Sequence, residues 1–193
     1  MEIAVVGTGF IGGVLGRALA GAGHDVTFAS RHPEDDDAAA GSGARVASVH
    51  DALGGAEIIV LALPAVAVSD FVAGNGEALA GKLVIDATNS MGEPVANARG
   101  ALPGSVRYAR AFNTLGGENT AEPIFGDVQA DMFFSAPEND RSTVEAVISG
   151  VGLRPVFVGE DQEQLVDGLF RLWVALALTQ GRGRRIAFKL LEG

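Results

Sequence analysis

Gly7, Gly9 and Gly12 follow the apolar run Ile3 to Val6 in the order G-x-G-x-x-G. Between a strand and a helix, that spacing suits phosphate chemistry. The first glycine permits a tight turn, the second lets backbone approach a pyrophosphate, and the third lets the helix pack close to the strand. Thr8, Phe10 and Ile11 fill the turn. The helix behind it turns unpaired N–H groups and the positive end of its dipole towards an anion. With 27 glycines in the chain the pattern alone is weak, but here it opens an amphipathic helix with Ile11, Leu15, Ala18 and Leu19 on one face. A second apolar run, Val26 to Ala29, ends in Ser30-Arg31. An acidic residue near that point would bind the ribose 2′-hydroxyl of NAD. A hydroxyl and a planar guanidinium instead suit an adenosine 2′-phosphate, so the pair points to NADP(H).

The remaining candidates lie just past other predicted strands. Leu63 and Pro64 close the apolar run that begins at Ile58. Asn89 and Asn113 each follow a strand, where an amide could hold a nicotinamide carboxamide or ribose. Asparagine also favours such loops for its own turn chemistry. No metal site is expected. The three histidines, His24, His32 and His50, have no partner at ligand spacing. Asp35-Asp36-Asp37 reads as a solvated helix start. Ser90 lacks the flanking glycines of a nucleophile elbow. No catalytic residue is assigned. Hydride transfer between two ring systems needs alignment and exclusion of water more than a strong general acid.

These positions require a repeating scaffold to bring them together. Strands are expected at Arg45 to Val49, Ile58 to Leu63, Lys82 to Asp86, Arg107 to Phe112, Met132 to Ser135 and Arg154 to Val158. Helices are expected at Asp51 to Gly54, Val66 to Leu79, Ala96 to Ala101, Asp140 to Ile148 and Asp161 to about Leu178. Arg184 to Leu191 reads as a short further helical piece, and Asn113 to Asn119 as a loop. Alternating strands and helices give an α/β, Rossmann-type, doubly wound and mainly parallel sheet. A helical extension over roughly 160–193 completes a single domain, 1–193. The segment Leu165 to Leu178 is apolar nearly all round, so it must be buried on more than one side. A symmetric dimer through this helix is the expectation.

The net charge of −10 argues against nucleic acid or an anionic membrane as partner. The chain has no cysteine, which excludes disulfides, thiolate metal sites and cysteine nucleophiles. Leu172 to Leu178 is far shorter than the roughly 20 residues of a membrane helix. The sequence starts directly on a core strand, so no signal peptide is expected, and with the absence of cysteine this fits a cytoplasmic protein; a small-molecule substrate is the expected partner.

Several stretches together resemble the coenzyme F420-dependent NADP oxidoreductases, short Rossmann proteins that use a deazaflavin. They are VVGTGFIG, FASR, LALP at Leu61 to Pro64, AFNTLGG at Ala111 to Gly117, GLRPVFVG at Gly152 to Gly159, LVDGLFRLW, and the tail QGRGRRIAFKLL. The resemblance implies direct hydride exchange between NADP(H) and coenzyme F420 or a flavin-like acceptor, in a homodimer. By position it implies that Thr8, Gly9, Phe10 and Ile11 hold the pyrophosphate, Ser30 and Arg31 the 2′-phosphate, and that Asn89 and the loop from Asn113 lie by the nicotinamide. Two departures stand out. Glu34 and Asp35 occupy positions where the family often has a basic residue, and Ala65, Val66 and Ala67 are smaller than the groups that deazaflavin binders carry there. A reductase of another small molecule, or a non-catalytic NADP(H) sensor, remain the alternatives.

Overall fold

Ile3 to Val6 carries no polar side chain, and all four residues are buried in strand β1, Glu2–Val6. The computed structural model describes residues 1–90 and 95–193. After β1 come α1 (Phe10–Gly21), β2 (Asp25–Ser30), β3 (Arg45–Ser48), α2 (Val49–Gly55), β4 (Ile58–Leu61), α3 (Ala65–Leu79), β5 (Leu83–Asp86) and β6 (Arg107–Arg110). They form a six-stranded sheet in the order β3-β2-β1-β4-β5-β6, parallel in register from β3 through β5. Every residue of β4 and β5 is buried, as expected of central parallel strands covered on both faces. The core on one side joins Ala4, Val6, Leu61, Val84 and Tyr108 to Leu53 of α2 and Val68, Val72 and Leu79 of α3.

The chain divides into two compact units, Met1–Tyr108 and Ala109–Gly193, with the boundary inside β6. Local signals set the elements of the first. Ser48 caps α2, its hydroxyl accepting from the Asp51 N–H at 3.2 Å. Lys82 closes the far end of α2 by donating to the carbonyls of Leu53 and Ala56 at 2.5 and 2.6 Å.

The second unit contains α4 (Gly117–Ala121), the hairpin strands β7 (Ile124–Phe125) and β8 (Val128–Gln129), then β9 (Asp131–Phe134), α5 (Arg141–Gly150), β10 (Arg154–Phe157) and α6 (Glu163–Val174). Strands β9 and β10 pair in parallel around α5, a βαβ unit. Helix α6 runs into a single π-turn, Ala175–Thr179. It buries Val166, Phe170, Trp173 and Ala177, and exposes Leu165 and Leu172 on another face.

The structure departs from expectation in several places. Strand β4 stops at Leu61, short of the expected Leu63, and the β7–β8 hairpin was not expected. Strand β6 stops at Arg110 and not at Phe112, because Phe112 takes φ +67° and leaves the extended region. The loop expected at Asn113 to Asn119 includes the start of α4. Ala96 to Ala101 forms turns and no helix. Helical structure ends at Thr179, and Arg184 to Leu191 is not helical. The carbonyls of Arg184, Ile186, Phe188 and Leu190 instead accept from Asn119, Trp173, the Asp131 N–H and Arg154, so the backbone bonds outward along its length. Among the described residues, no helix is long and apolar enough to cross a membrane.

Candidate dinucleotide site

Parallel register places four strand ends in one row: Ala29, Val6, Leu61 and Asp86 are successive partners across β2, β1, β4 and β5. The chain therefore leaves the sheet at one edge in four neighbouring places. Those exits carry the glycine turn, Ser30-Arg31, Leu63-Pro64 and Asn89. The point where β1 lies between β2 and β4 is where strand order reverses, the position at which open α/β sheets bind ligands.

The three glycines of the turn play three different physical roles. Gly7 has φ +109°, and a Cβ there would lie 2.5 Å from the Ala62 carbonyl oxygen, so the turn is pressed against the chain leaving β4. A Cβ on Gly12 would overlap the Gly7 carbonyl oxygen. Gly9 differs: a Cβ there would meet no atom within 4 Å. Close packing explains Gly7 and Gly12. At Gly9 the backbone is bare towards open space, as the approach of a pyrophosphate requires. Gly9 is also the N-cap of α1, with no side-chain cap and no acidic residue in the first turn. The positive end of a twelve-residue helix is thus left to whatever binds there. Thr8 and Ile11 are half-buried, and Phe10 is 62% exposed.

Ser30 is the last residue of β2 and is buried, with its Oγ accepting from the His32 N–H at 3.2 Å. Arg31 follows and is exposed. Beyond them the chain makes one 3₁₀ turn, Pro33–Asp35, and Asp36 comes back towards the site. Its carboxylate accepts from the Ala38 N–H at 3.0 Å, and the Ala38 carbonyl accepts from Arg17 of α1 at 3.2 Å. Burial pushes the Asp36 carboxyl up, but the hydroxyls of Ser30 and Thr8 and the Ala38 N–H outweigh it and hold it below the ordinary carboxylate range. A carboxylate of the chain's own thus stands near Ser30 and Thr8.

Leu63 is half-buried and Pro64 is the exposed N-cap of α3. Asn89 is half-buried, next to the buried Thr88. Asn113 belongs to the second unit and is fully buried. It lies in the run Ala111 to Gly117, every residue of which is buried outside a strand. This run is anchored at Arg110, itself 0% exposed, whose Nε and Nη2 donate to Asp167 Oδ1 of α6 at 2.9 and 2.7 Å. A buried guanidinium needs such a partner. Sequence reasoning missed Asp36, Asp86, Arg110 and Phe112. An acid closing the apolar run Leu83 to Ile85 was the one visible signal among them.

A cavity of about 260 Å³ opens at the other edge of the sheet, between the strand starts at Glu2, Asp25 and Arg45 and helix α2. It faces away from the glycine turn, and the 2.8 Å pair of Arg45 with Asp25 lies at its wall.

The strand order, the parallel register and the glycine turn after β1 define a Rossmann-type α/β protein. Residues 2–90 match the family described as NADP oxidoreductase, coenzyme F420-dependent, in line with the sequence resemblance. A candidate F420-dependent NADP reductase from Arthrobacter sp. FB24 has a similar solved structure, at 23% identity and TM-score 0.77, with all of both chains covered. An imine reductase from Streptomyces aurantiacus is 23% identical at TM-score 0.69, over 95% of this chain and 69% of its own. A variant of the Myxococcus stipitatus imine reductase, solved with NAD+, is 23% identical at TM-score 0.67, over 93% of this chain and 63% of its own. None of the curated proteins compared with the chain matches it.

Proposed function

We propose that this protein is an NADPH-dependent oxidoreductase whose second substrate is a deazaflavin such as coenzyme F420, or a flavin-like acceptor. The observation that carries the reading is the contrast within the glycine turn. Gly7 and Gly12 are required by packing, whereas Gly9 keeps bare backbone and an uncapped helix end open at the row of strand ends. In this reading Gly9, Phe10 and Ile11 offer N–H groups to the pyrophosphate, with Thr8 beside them. Ser30 and Arg31 are the donors for a 2′-phosphate. Leu63 and Pro64 form an apolar wall, and Asn89 and Asn113 are the amides assigned to the nicotinamide end. Bound NADPH supplies the hydride; the chain's part is to bind, orient and keep water out. No side chain is assigned as a proton donor.

The whole chain is taken as the working unit, and a homodimer is proposed through the exposed face of α6, where Leu165 and Leu172 stand in line with Leu169 and Leu176 at helical spacing. The fold likeness to imine reductases supports a second reading, a reductase of a small imine or ketone. A panel of deazaflavin, FMN and a cyclic imine, each followed by NADPH oxidation, separates the two. Turnover of the imine alone would replace the first reading with the second. Cofactor choice is tested by titrating NADPH and NADH against wild type and Arg31→Ala. Loss of one charge-assisted phosphate contact should weaken NADPH by about 1.5–3 kcal/mol. Equal NADH and NADPH affinity in wild type would remove the NADP assignment.

A further inference from the structure

Asp86 closes β5 in the row of strand ends, and its side chain is 0% exposed. Its Oδ1 accepts from the Thr88 N–H at 2.8 Å and from the Thr88 hydroxyl at 2.6 Å. Its Oδ2 accepts from the Ala98 N–H at 2.6 Å and from the Tyr108 hydroxyl at 2.8 Å. One carboxylate thus ties the residue two positions on to the residue twelve positions on. The segment between them carries Asn89. We infer that Asp86 is a positioning residue for the dinucleotide site: it clamps both ends of this segment and so sets where the Asn89 amide stands. This inference rests on the NADPH reading above.

The chemistry of these four donors, counted among the described residues, makes the choice of residue specific. A carboxylate accepts on both oxygens, whereas an amide accepts on one atom and donates from the other. Each Asp86 oxygen receives a backbone N–H, which cannot rotate away. Either orientation of an asparagine would therefore turn an NH₂ against one of them. Asp86→Asn keeps the volume and releases one end of the segment. Tyr108→Phe removes a single hydroxyl donor and leaves both backbone bonds in place.

Two probes separate positioning from folding. Adenosine 2′,5′-bisphosphate reports only the end of the site formed by the glycine turn, Ser30 and Arg31, and NADPH reports the whole. Titrations would use wild type, Asp86→Asn, Asn89→Ala, the double variant and Tyr108→Phe, with thermal unfolding of each. One lost hydrogen bond corresponds to roughly tenfold in affinity. Asp86→Asn should therefore weaken NADPH about tenfold and leave the bisphosphate within about twofold. Asn89→Ala should do the same, and the double variant should lose no more than the weaker single variant. Tyr108→Phe should act in the same direction, less strongly, and it carries the test should Asp86→Asn not fold.

Three results with the variants would overturn the inference. The first is NADPH affinity unchanged in Asp86→Asn. The second is loss of both probes together in a folded variant. The third is multiplying losses in the double variant. Wild type that binds the bisphosphate and NADPH equally would also refute it, since the segment would then contribute nothing. Wild type that binds neither probe removes the NADPH reading itself, and the inference with it.

Discussion

At the glycine turn, chain meets chain with no side chain between. Gly7 lies against the backbone leaving β4, and Gly12 against Gly7. At the other end of the sequence, long charged side chains do the holding. Arg184 pairs with Glu118, Arg185 donates to the carbonyls of Glu122 and Ile124, and Lys189 reaches Asp131. The first arrangement is rigid because atoms are in contact and nothing can be added. The second is specific because donors and acceptors match, and it is open to water and to pH. The difference teaches where each region can fail: the turn by steric overlap, the tail by loss of charge.

The largest effect is expected at Gly12. In Gly12→Ala the new methyl overlaps a backbone carbonyl that cannot move without opening the turn, which should cost about 3 kcal/mol or more. Thermal unfolding would show a large fall in midpoint or no folded protein. Gly9→Ala is the control within the same turn. It meets no atom within 4 Å, so its cost should stay near the roughly 1 kcal/mol of a poorer N-cap residue. Its NADPH affinity should nevertheless fall at least tenfold. A Gly9→Ala protein that binds NADPH normally would mean that the open backbone is not a phosphate site.

The tail should give the next effect. Asp131, 0% exposed, accepts from Arg154 at 2.6 Å, from Lys189 at 2.9 Å and from the Leu190 N–H at 2.6 Å. Asp131→Ala removes the acceptor for all of them. With Arg154 and Lys189 still partly solvated, the cost should be about 2 kcal/mol. Trypsin should then cut after Arg184 and Arg185 faster than in wild type. Acid should act in the same direction. Burial opposes ionisation of Asp131, yet Arg154, the Leu190 N–H and Lys189 hold its carboxyl below the ordinary range; Arg184 does the same for Glu118. Both values are depressed in the folded state. Their stabilisation is therefore complete above the unfolded values of about 3.9 and 4.3 and is lost as pH falls through the folded ones. The protection factors of the tail amides, taken against the intrinsic exchange rate at each pH, should hold from pH 8 to 5 and fall only in more acidic solution.

The same contrast explains what could be read before the fold was known. The first unit follows from periodicity and glycine spacing: unbroken apolar runs became buried parallel strands, and G-x-G-x-x-G became the turn. Those signals are local. The tail is held by contacts about 60 positions apart, such as Lys189 with Asp131. No local pattern announces them, so QGRGRRIAFKLL read as a broken helix. Phe112 escaped notice for a related reason. A non-glycine residue at φ +67° is an outlier that only surrounding structure can enforce. At the site, the donors Ser30 and Arg31 were legible at the end of an apolar run. Asp36 was not, because its position depends on a 3₁₀ turn that folds the acidic stretch back.

Asp36 gives the smallest predicted effect and bears most directly on cofactor choice. Its carboxylate acts on the hydroxyls of Ser30 and Thr8, the groups offered to phosphate oxygens. A 2′-phosphate entering beside Ser30 and Arg31 would have to displace that carboxylate or tolerate its charge. NADH brings no such phosphate. Asp36→Asn removes the charge and keeps the size and the acceptor for the Ala38 N–H. It should strengthen NADPH binding by roughly 1 kcal/mol, about fivefold, at low ionic strength, and leave NADH within twofold. The gain should shrink as salt is added, because the interaction removed is between partly solvated charges. An equal change for both nucleotides would place Asp36 outside the 2′-phosphate subsite. A change for NADPH alone that vanishes in Arg31→Ala/Asp36→Asn would show the arginine and the aspartate competing for one group, with Arg31 drawing the phosphate in and Asp36 limiting how tightly it is held.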